Sequence, residues 1–433
     1  MTWLRLAVSN LGLSPLTTIV NILLMALGTG SIVLLLLAGA QLSDTLSRDA
    51  RGIDLVLGAK GSPVQLVLSS VYHADVPPGN IPLSAAERWA NDARVARAIP
   101  LSLGDSYRGF RIVGTRADIL EHYGAEFADG GSWSHSMQAV VGAAVADAAG
   151  LKVGSRFAGV HGLGVGGHTH ESEPYRVTGV LAATGSVVDR LILTSLDSVW
   201  DLHADAQTAP HSEHGHHDDD HQHGIESHAH DHHDHARRNG VIDASEIDHS
   251  DGDREITAML LSYRSPMAAV TLPRLINADP ALQAAAPAVE VSRILLLIGV
   301  GLDGLELFGW VLIATAGLSV FAALYGSLHA RRRDLATLRC LGATRAELLL
   351  CTLLEGLLLS VIGVAIGFLI GHAAMELLGS WLQTARGVAL TGWTWLPAET
   401  VLLLGLFAVG IVAAAIPAVQ AYRTDPATTL AET

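Results

Sequence analysis

Residues 6–43 contain no charged side chain, and within them 16–40 is almost wholly apolar. A helix of about 20 apolar residues crosses ~30 Å of hydrocarbon, and a backbone at that depth must satisfy its own polar groups. The run therefore predicts a spanning helix over 16–40. Ala38, Gly39 and Ala40 resemble a signal-peptide cleavage site, but the apolar run is too long for a signal h-region and only Arg5 precedes it. Three more apolar blocks predict spans at 307–327, 348–371 and 400–421. The first of these blocks begins earlier, at 294, but holds Asp303 and Glu306 in its first half. Charge is costly at membrane depth, so 288–306 is read as a helix standing above the bilayer.

Arginine placement orients the four spans. The short loop 328–347 carries Arg331, Arg332, Arg333, Arg339 and Arg345, whereas the loop 372–399 carries only Arg386. The arginine-rich loop is expected in the cytoplasm, together with the termini, 1–15 and 422–433. Residues 41–293 then lie outside. The expected architecture is a membrane protein with four transmembrane α-helices and a large mixed α+β extracytoplasmic domain between the first and second spans.

In that domain FRIVGT (110–115), QAVVGAAVA (138–146), YRVTGVLA (175–182), DRLILTS (189–195) and ITAMLLSY (256–263) read as strands. Residues 82–99 and 265–278 read as helices, the former N-capped by Ser84 with Glu87 as its capping-box partner.

The net charge of −15 is local, because residues 201–255 hold fifteen Asp/Glu against three Arg. It indicates no nucleic-acid surface. The same region contains HSEHGHHDDDHQHGIESHAHDHHDH (211–235). His211, His214, His216, His217, His221, His223, His228, His230, His232, His233 and His235 interleave with Asp218, Asp220, Asp231 and Asp234. Imidazoles and carboxylates in many overlapping sets suit Zn²⁺, with Ni²⁺ or Cu²⁺ as alternatives. A smaller group, His161, His168 and His170, lies among glycines. Residues 203–252, dense in charge and poor in apolar side chains, read as a mobile insertion. No tightly bound cofactor is expected. The alternative is a solvated linker with no metal role.

Leu335, Leu338 and Leu341 recur at a spacing of three, forming an apolar stripe on a short helix that Gly342 ends. Rimmed by arginines, the stripe fits either a groove in another protein or anionic headgroups. Glu355 falls inside the third span, as a partner packed between helices or as a proton or substrate group. Gly363, Gly367 and Gly371, four apart, make a close-packing face.

One span, a large outer domain and three clustered spans, with RRRDLATLRCLGATRAELLL (331–350) and IPAVQAYRTDPATTL (416–430), resemble the FtsX-like and MacB-like ABC transporter permeases. DLVLGAKGSPVQLVLSSVYH (54–73) resembles a subgroup marker, read here as a structural junction between stalk and domain. The resemblance implies a bacterial inner-membrane protein acting as a homodimer with two copies of a cytosolic ABC ATPase at the 328–347 loop. It leaves room for a periplasmic metal-binding or adaptor partner. Neither lysine, Lys60 or Lys152, follows a glycine, so the chain has no Walker A loop of its own. No HExxH, GxSxG or paired-cysteine motif appears, and a non-catalytic subunit is expected. Three functions follow: an ATP-driven transport or extrusion permease linked to metal handling; a scaffold that relays motion to an envelope partner without passing substrate; or a permease extracting lipid or lipoprotein.

Overall fold

The computed structural model describes residues 2–12, 15–161, 174–208, 254–386 and 390–422. It divides into two compact units, one of residues 1–51 with 288–433 and one of residues 52–287.

The first unit begins with α1 (Thr2–Leu11) and α2 (Pro15–Asp49). The second unit runs through β1 (Leu55–Ala59), α3 (Pro63–Ser70), β2 (Ile81–Pro82), α4 (Leu83–Ala90), β3 (Val95–Tyr107), β4 (Phe110–Thr115), α5 (Asp118–His122), β5 (Phe127–Gly130) and β6 (Gln138–Val141). It continues with α6 (Ala143–Ala149), β7 (Arg156–Phe157), β8 (Val160–His161), β9 (Tyr175–Leu181), β10 (Leu191–Ser195), α7 (Leu196–Thr208), β11 (Glu255–Ile256), β12 (Ala258–Tyr263), α8 (Pro266–Asn277) and β13 (Leu282–Ala285). The chain returns to the first unit with α9 (Pro287–Ala330), α10 (Arg332–Cys340), α11 (Arg345–Arg386) and α12 (Pro397–Tyr422).

Four helices, α2, α9, α11 and α12, are long and apolar enough to cross a membrane. With the mixed-sheet unit between the first and second of them, the expected fold class is the observed one. Residues 288–306 belong to the same continuous helix as 307–327, and Glu306 is held there by the Trp310 indole N–H at 3.2 Å. The glycines of α11 meet α2 closely. A Cβ at Gly363 would lie 2.7 Å from Met25 Cβ, and one at Gly371 would lie 2.8 Å from Val33 Cβ. Contact this close lets dispersion and backbone approach replace a hydrophobic driving force that lipid does not supply.

The second unit is built on one mixed sheet, in the order β13-β1-β12-β3-β4-β10-β6-β9-β5, with β7 on β9 and β8 on β3. Strand β3 serves two cores. On one side Leu55, Leu57, Val95, Met259, Leu261, Leu272 and Ile276 pack together. On the other, Ile112, Val141, Val145, Phe157, Tyr175, Val177 and Ile192 do so.

Several sequence expectations are corrected here. The helix expected over 82–99 ends at Ala90. Asp92 then closes a turn, its carboxylate accepting from the Arg94 amide at 2.9 Å and from the guanidinium at 2.8 and 2.7 Å. These Arg94 hydrogen bonds bring the Asp92 carboxyl down to about 2. Beyond it Val95 and Ile99 pair with β12 as strand. Ser84 is not the cap, because α4 starts at Leu83 after Pro82 and no side chain caps it. The strand expected over 138–146 stops at Val141. A Cβ at Gly142 would collide with the carbonyls of Val188 and Asp189, and α6 begins directly after it. Residues 54–73, expected as a structural junction, contribute a central strand and a helix to the second unit. They form β1, between β12 and β13, and α3, N-capped by Ser62 with Pro63 at its first position. Lys60 donates to the carbonyls of Asn277 and Leu282 at 3.2 Å each, placing a cation on the C-terminus of α8.

Candidate coupling site

The arginine-rich loop folds as a helical hairpin, α10 onto α11. Leu341 caps α10, and Gly342 follows with φ 103°, a left-handed conformation that glycine adopts without a Cβ clash. The Gly342 amide donates to the Arg339 carbonyl at 3.1 Å and the Ala343 amide to the Leu338 carbonyl at 3.0 Å. This pair of bonds is a Schellman motif. Two residues on, Thr344 opens α11 with a capping box. Its amide donates to Glu347 Oε2 at 2.7 Å, and its hydroxyl accepts from the Glu347 amide at 3.3 Å. The hairpin therefore has its turn fixed from both helices.

The leucine stripe is real but divided. Leu335 and Leu338 are half-buried and line a cavity of about 180 Å³ shared with Leu6, Asn10, Leu348 and Glu355. Only Leu341, 79% exposed, faces away from the chain. The expectation of one docking stripe of three leucines is corrected to one outward leucine, because the chain's own helices cover the other two. The arginines divide in the same way. Arg331 is half-buried, donates to the Asn10 carbonyl at 3.3 Å and lies 3.7 Å from Glu355. Arg339 is half-buried and donates to the Ala343 carbonyl at 3.1 Å, inside the hairpin. Arg333 and Arg345 are exposed. The side chain of Arg332 lies outside the described ones.

Glu355 is buried on α11, accepting from the Asn10 amide group and facing Arg331. Three elements distant in sequence, α1, the start of α10 and α11, meet at this carboxylate. A charge removed from water needs such a partner and donor, so the geometry favours the packed-partner reading of Glu355. Sequence reasoning missed α1 and Asn10, because a single asparagine in a short helix signals nothing about a carboxylate 345 positions away.

The predicted metal tract 211–235 and residues His168 and His170 lie outside the described residues. The backbone of His161 lies in β8, opposite Asp105. Among the described residues no three His, Cys, Asp or Glu side chains come together to hold a metal ion.

The FtsX-like permease C-terminal family matches residues 306–426, which include the hairpin and the last three spans, and the MacB-like periplasmic core domain family matches residues 18–222. The chain belongs to the FtsX-like and MacB-like ABC permeases. Solved structures similar to this permease include the periplasmic region of MacB from Actinobacillus actinomycetemcomitans, at 10% identity over 57% of this chain and 95% of that one, with a TM-score of 0.32. Another is the extracellular domain of the noncanonic ABC-type transporter YknZ from Gram-positive bacteria, at 10% identity over 53% of this chain and 98% of that one, with a TM-score of 0.29. No curated protein matches the chain.

Proposed function

We propose that this permease is the membrane subunit of an ATP-driven complex, working as a homodimer with two copies of a separate cytosolic ATPase. The observation that carries the reading is the α10–α11 hairpin. Its turn is fixed from both sides, and it leaves Leu341, Arg333 and Arg345 exposed. An exposed leucine on an element that also exposes two cations suits an apolar groove on an acidic surface. Force applied there reaches α11 directly, and reaches α1 through Asn10 and Glu355. The glycines of α11 pack closely on α2, and that tight packing supports mechanical work on the outer domain over conduction of ions through the spans. The test is co-isolation of ATPase activity with the tagged permease from its native membrane. The variant Arg333→Glu/Leu341→Asp/Arg345→Glu should lose that activity while remaining folded; retention of the ATPase would refute the assignment.

The His/Asp tract extends this reading to metal. Its side chains provide many weakly discriminating sets for Zn²⁺ in the envelope, where the tract would serve as sensor, buffer or capture arm, alone or with a periplasmic metal-binding partner. Calorimetry on the 200–255 peptide should show several zinc ions bound at neutral pH, weakening below about pH 6 as imidazoles protonate. A peptide that takes no zinc would end the metal reading and leave the ATPase reading untouched.

A further inference from the structure

A second polar cluster lies on the first unit, at the other end of α11. A cleft of about 640 Å³ opens there, walled by Phe368, Leu369, Leu377 and Trp395, with His372 and Glu376 on its polar side. From Leu348 to His372 is 24 residues, or about 36 Å of helix. That exceeds the ~30 Å hydrocarbon core and puts His372 and Glu376 at headgroup depth on the outer side. Trp393, 88% exposed, and Trp395, also exposed, sit on the rim, at the level where tryptophans favour a membrane interface.

The loop carrying these tryptophans is tied by hydrogen bonds to α2 and α11. Gln41 of α2 accepts from the Thr391 amide at 2.9 Å and donates to its carbonyl at 2.7 Å. Glu376 Oε2 accepts from the Thr391 hydroxyl at 3.0 Å and the Gly392 amide at 2.8 Å. The cleft is thus a built feature whose apolar walls are left over after the loop is secured.

Its charge is also defined. Glu399 is fully buried, neither carboxylate oxygen accepts a hydrogen bond, and His372 Nε2 lies 3.4 Å from it. His372 Nδ1 donates to the Gly392 carbonyl. His372 and Glu399 thus face each other, which leaves Glu376 as the carboxylate that faces the cleft. Glu376 makes no ion pair among the described residues, and no described lysine or arginine lines the cleft. Among the described residues the cleft therefore offers one carboxylate with no facing lysine or arginine, at headgroup depth beside an apolar wall.

We propose that this cleft binds an amine-headed phospholipid of the outer leaflet, its ammonium on Glu376 and its acyl chains along Phe368 and Leu369. A phosphatidylglycerol headgroup would add a second negative charge beside Glu376 and is disfavoured.

The test uses the full-length permease, delipidated in mild detergent and titrated with dioleoylphosphatidylethanolamine or dioleoylphosphatidylglycerol, with bound lipid read by native mass spectrometry. The ethanolamine lipid should bind roughly tenfold tighter, the scale of one charge-assisted hydrogen bond. Glu376→Gln should bring the two lipids close to parity, and Glu376→Lys should invert the order. Equal binding by the wild type, or an unchanged preference in folded Glu376→Lys, would overturn the proposal. Should Glu376→Lys not fold, Leu369→Trp on the exposed wall fills the cleft. It should cut retention of the ethanolamine lipid several-fold, and undiminished retention would count against the site.

Discussion

A buried carboxylate lies toward each end of α11, Glu355 on α11 itself and Glu399 on α12, and the two are partnered differently. At the hairpin end Glu355 faces a full cation, Arg331, and an amide donor from Asn10. At the other end Glu399 faces an imidazole, while the neighbouring Glu376 has only hydroxyl and amide donors. The first arrangement is saturated and ties three elements together. The second is an imidazole facing a buried carboxylate, beside a further carboxylate without a described cation and an apolar cleft. The comparison separates a joint from a receptor on one helix, by whether the charge is met from within the chain.

The largest effect should come from breaking the joint. Arg331→Met leaves Glu355 buried without its cation and should cost about 3–5 kcal/mol, whereas Arg331→Met/Glu355→Met should recover most of that loss. A double-mutant cycle on thermal unfolding in detergent measures both. At the receptor end, His372→Phe leaves Glu399 without its imidazole neighbour, and a smaller loss of about 1–3 kcal/mol is expected. Equal losses at the two ends would erase the distinction.

His73, in the outer unit, provides the control: an imidazole with arginines beside it in place of a carboxylate. Burial, then Arg111 and Arg190, lowers its pKa from 6.5 to about 3. The unfolded chain takes up this proton before the folded one. Stability should therefore be complete above pH 6.5, fall by up to about 1.4 kcal/mol per pH unit between 6.5 and 3, and level off below. Its backbone is left-handed, with φ 53°, which asparagine tolerates. His73→Asn should flatten this part of the pH profile, measured by thermal melting of the outer unit's signal. The smallest effect is expected of Asn10→Ala, about 1 kcal/mol, seen as faster proteolysis of α1 with the hairpin unchanged.

What was legible in the sequence follows from which forces act locally. The four long helices announce themselves by uninterrupted apolar side chains, since lipid demands that of each helix separately. Strands such as β4 and β9 show in their own alternation. The break between α4 and β3 does not, because the alanines and arginines of 90–98 suit a helix until β12 offers Val95 and Ile99 a partner. Gly142 looks like any glycine in a strand, and its reason lies in carbonyls more than forty residues away. The spacing of Leu335, Leu338 and Leu341 revealed a helix and its apolar face, but periodicity cannot say whose surface that face meets. Glu355 stood out as a lone charge in an apolar run. Glu399 did not, because it lies just before the fourth apolar block, and its partner His372 just after the third.

The turn between α10 and α11 carries one further consequence. Gly342 and the Thr344–Glu347 box are separated by a single residue, Ala343, so nothing there can take up slack. Adding one residue at Ala343 would part the turn that closes α10 from the capping box that opens α11 and change how Leu341 is presented relative to α11. The hairpin thus behaves as a key of fixed length: its teeth can be recut by changing side chains, but a blank one residue longer would no longer turn in the same lock.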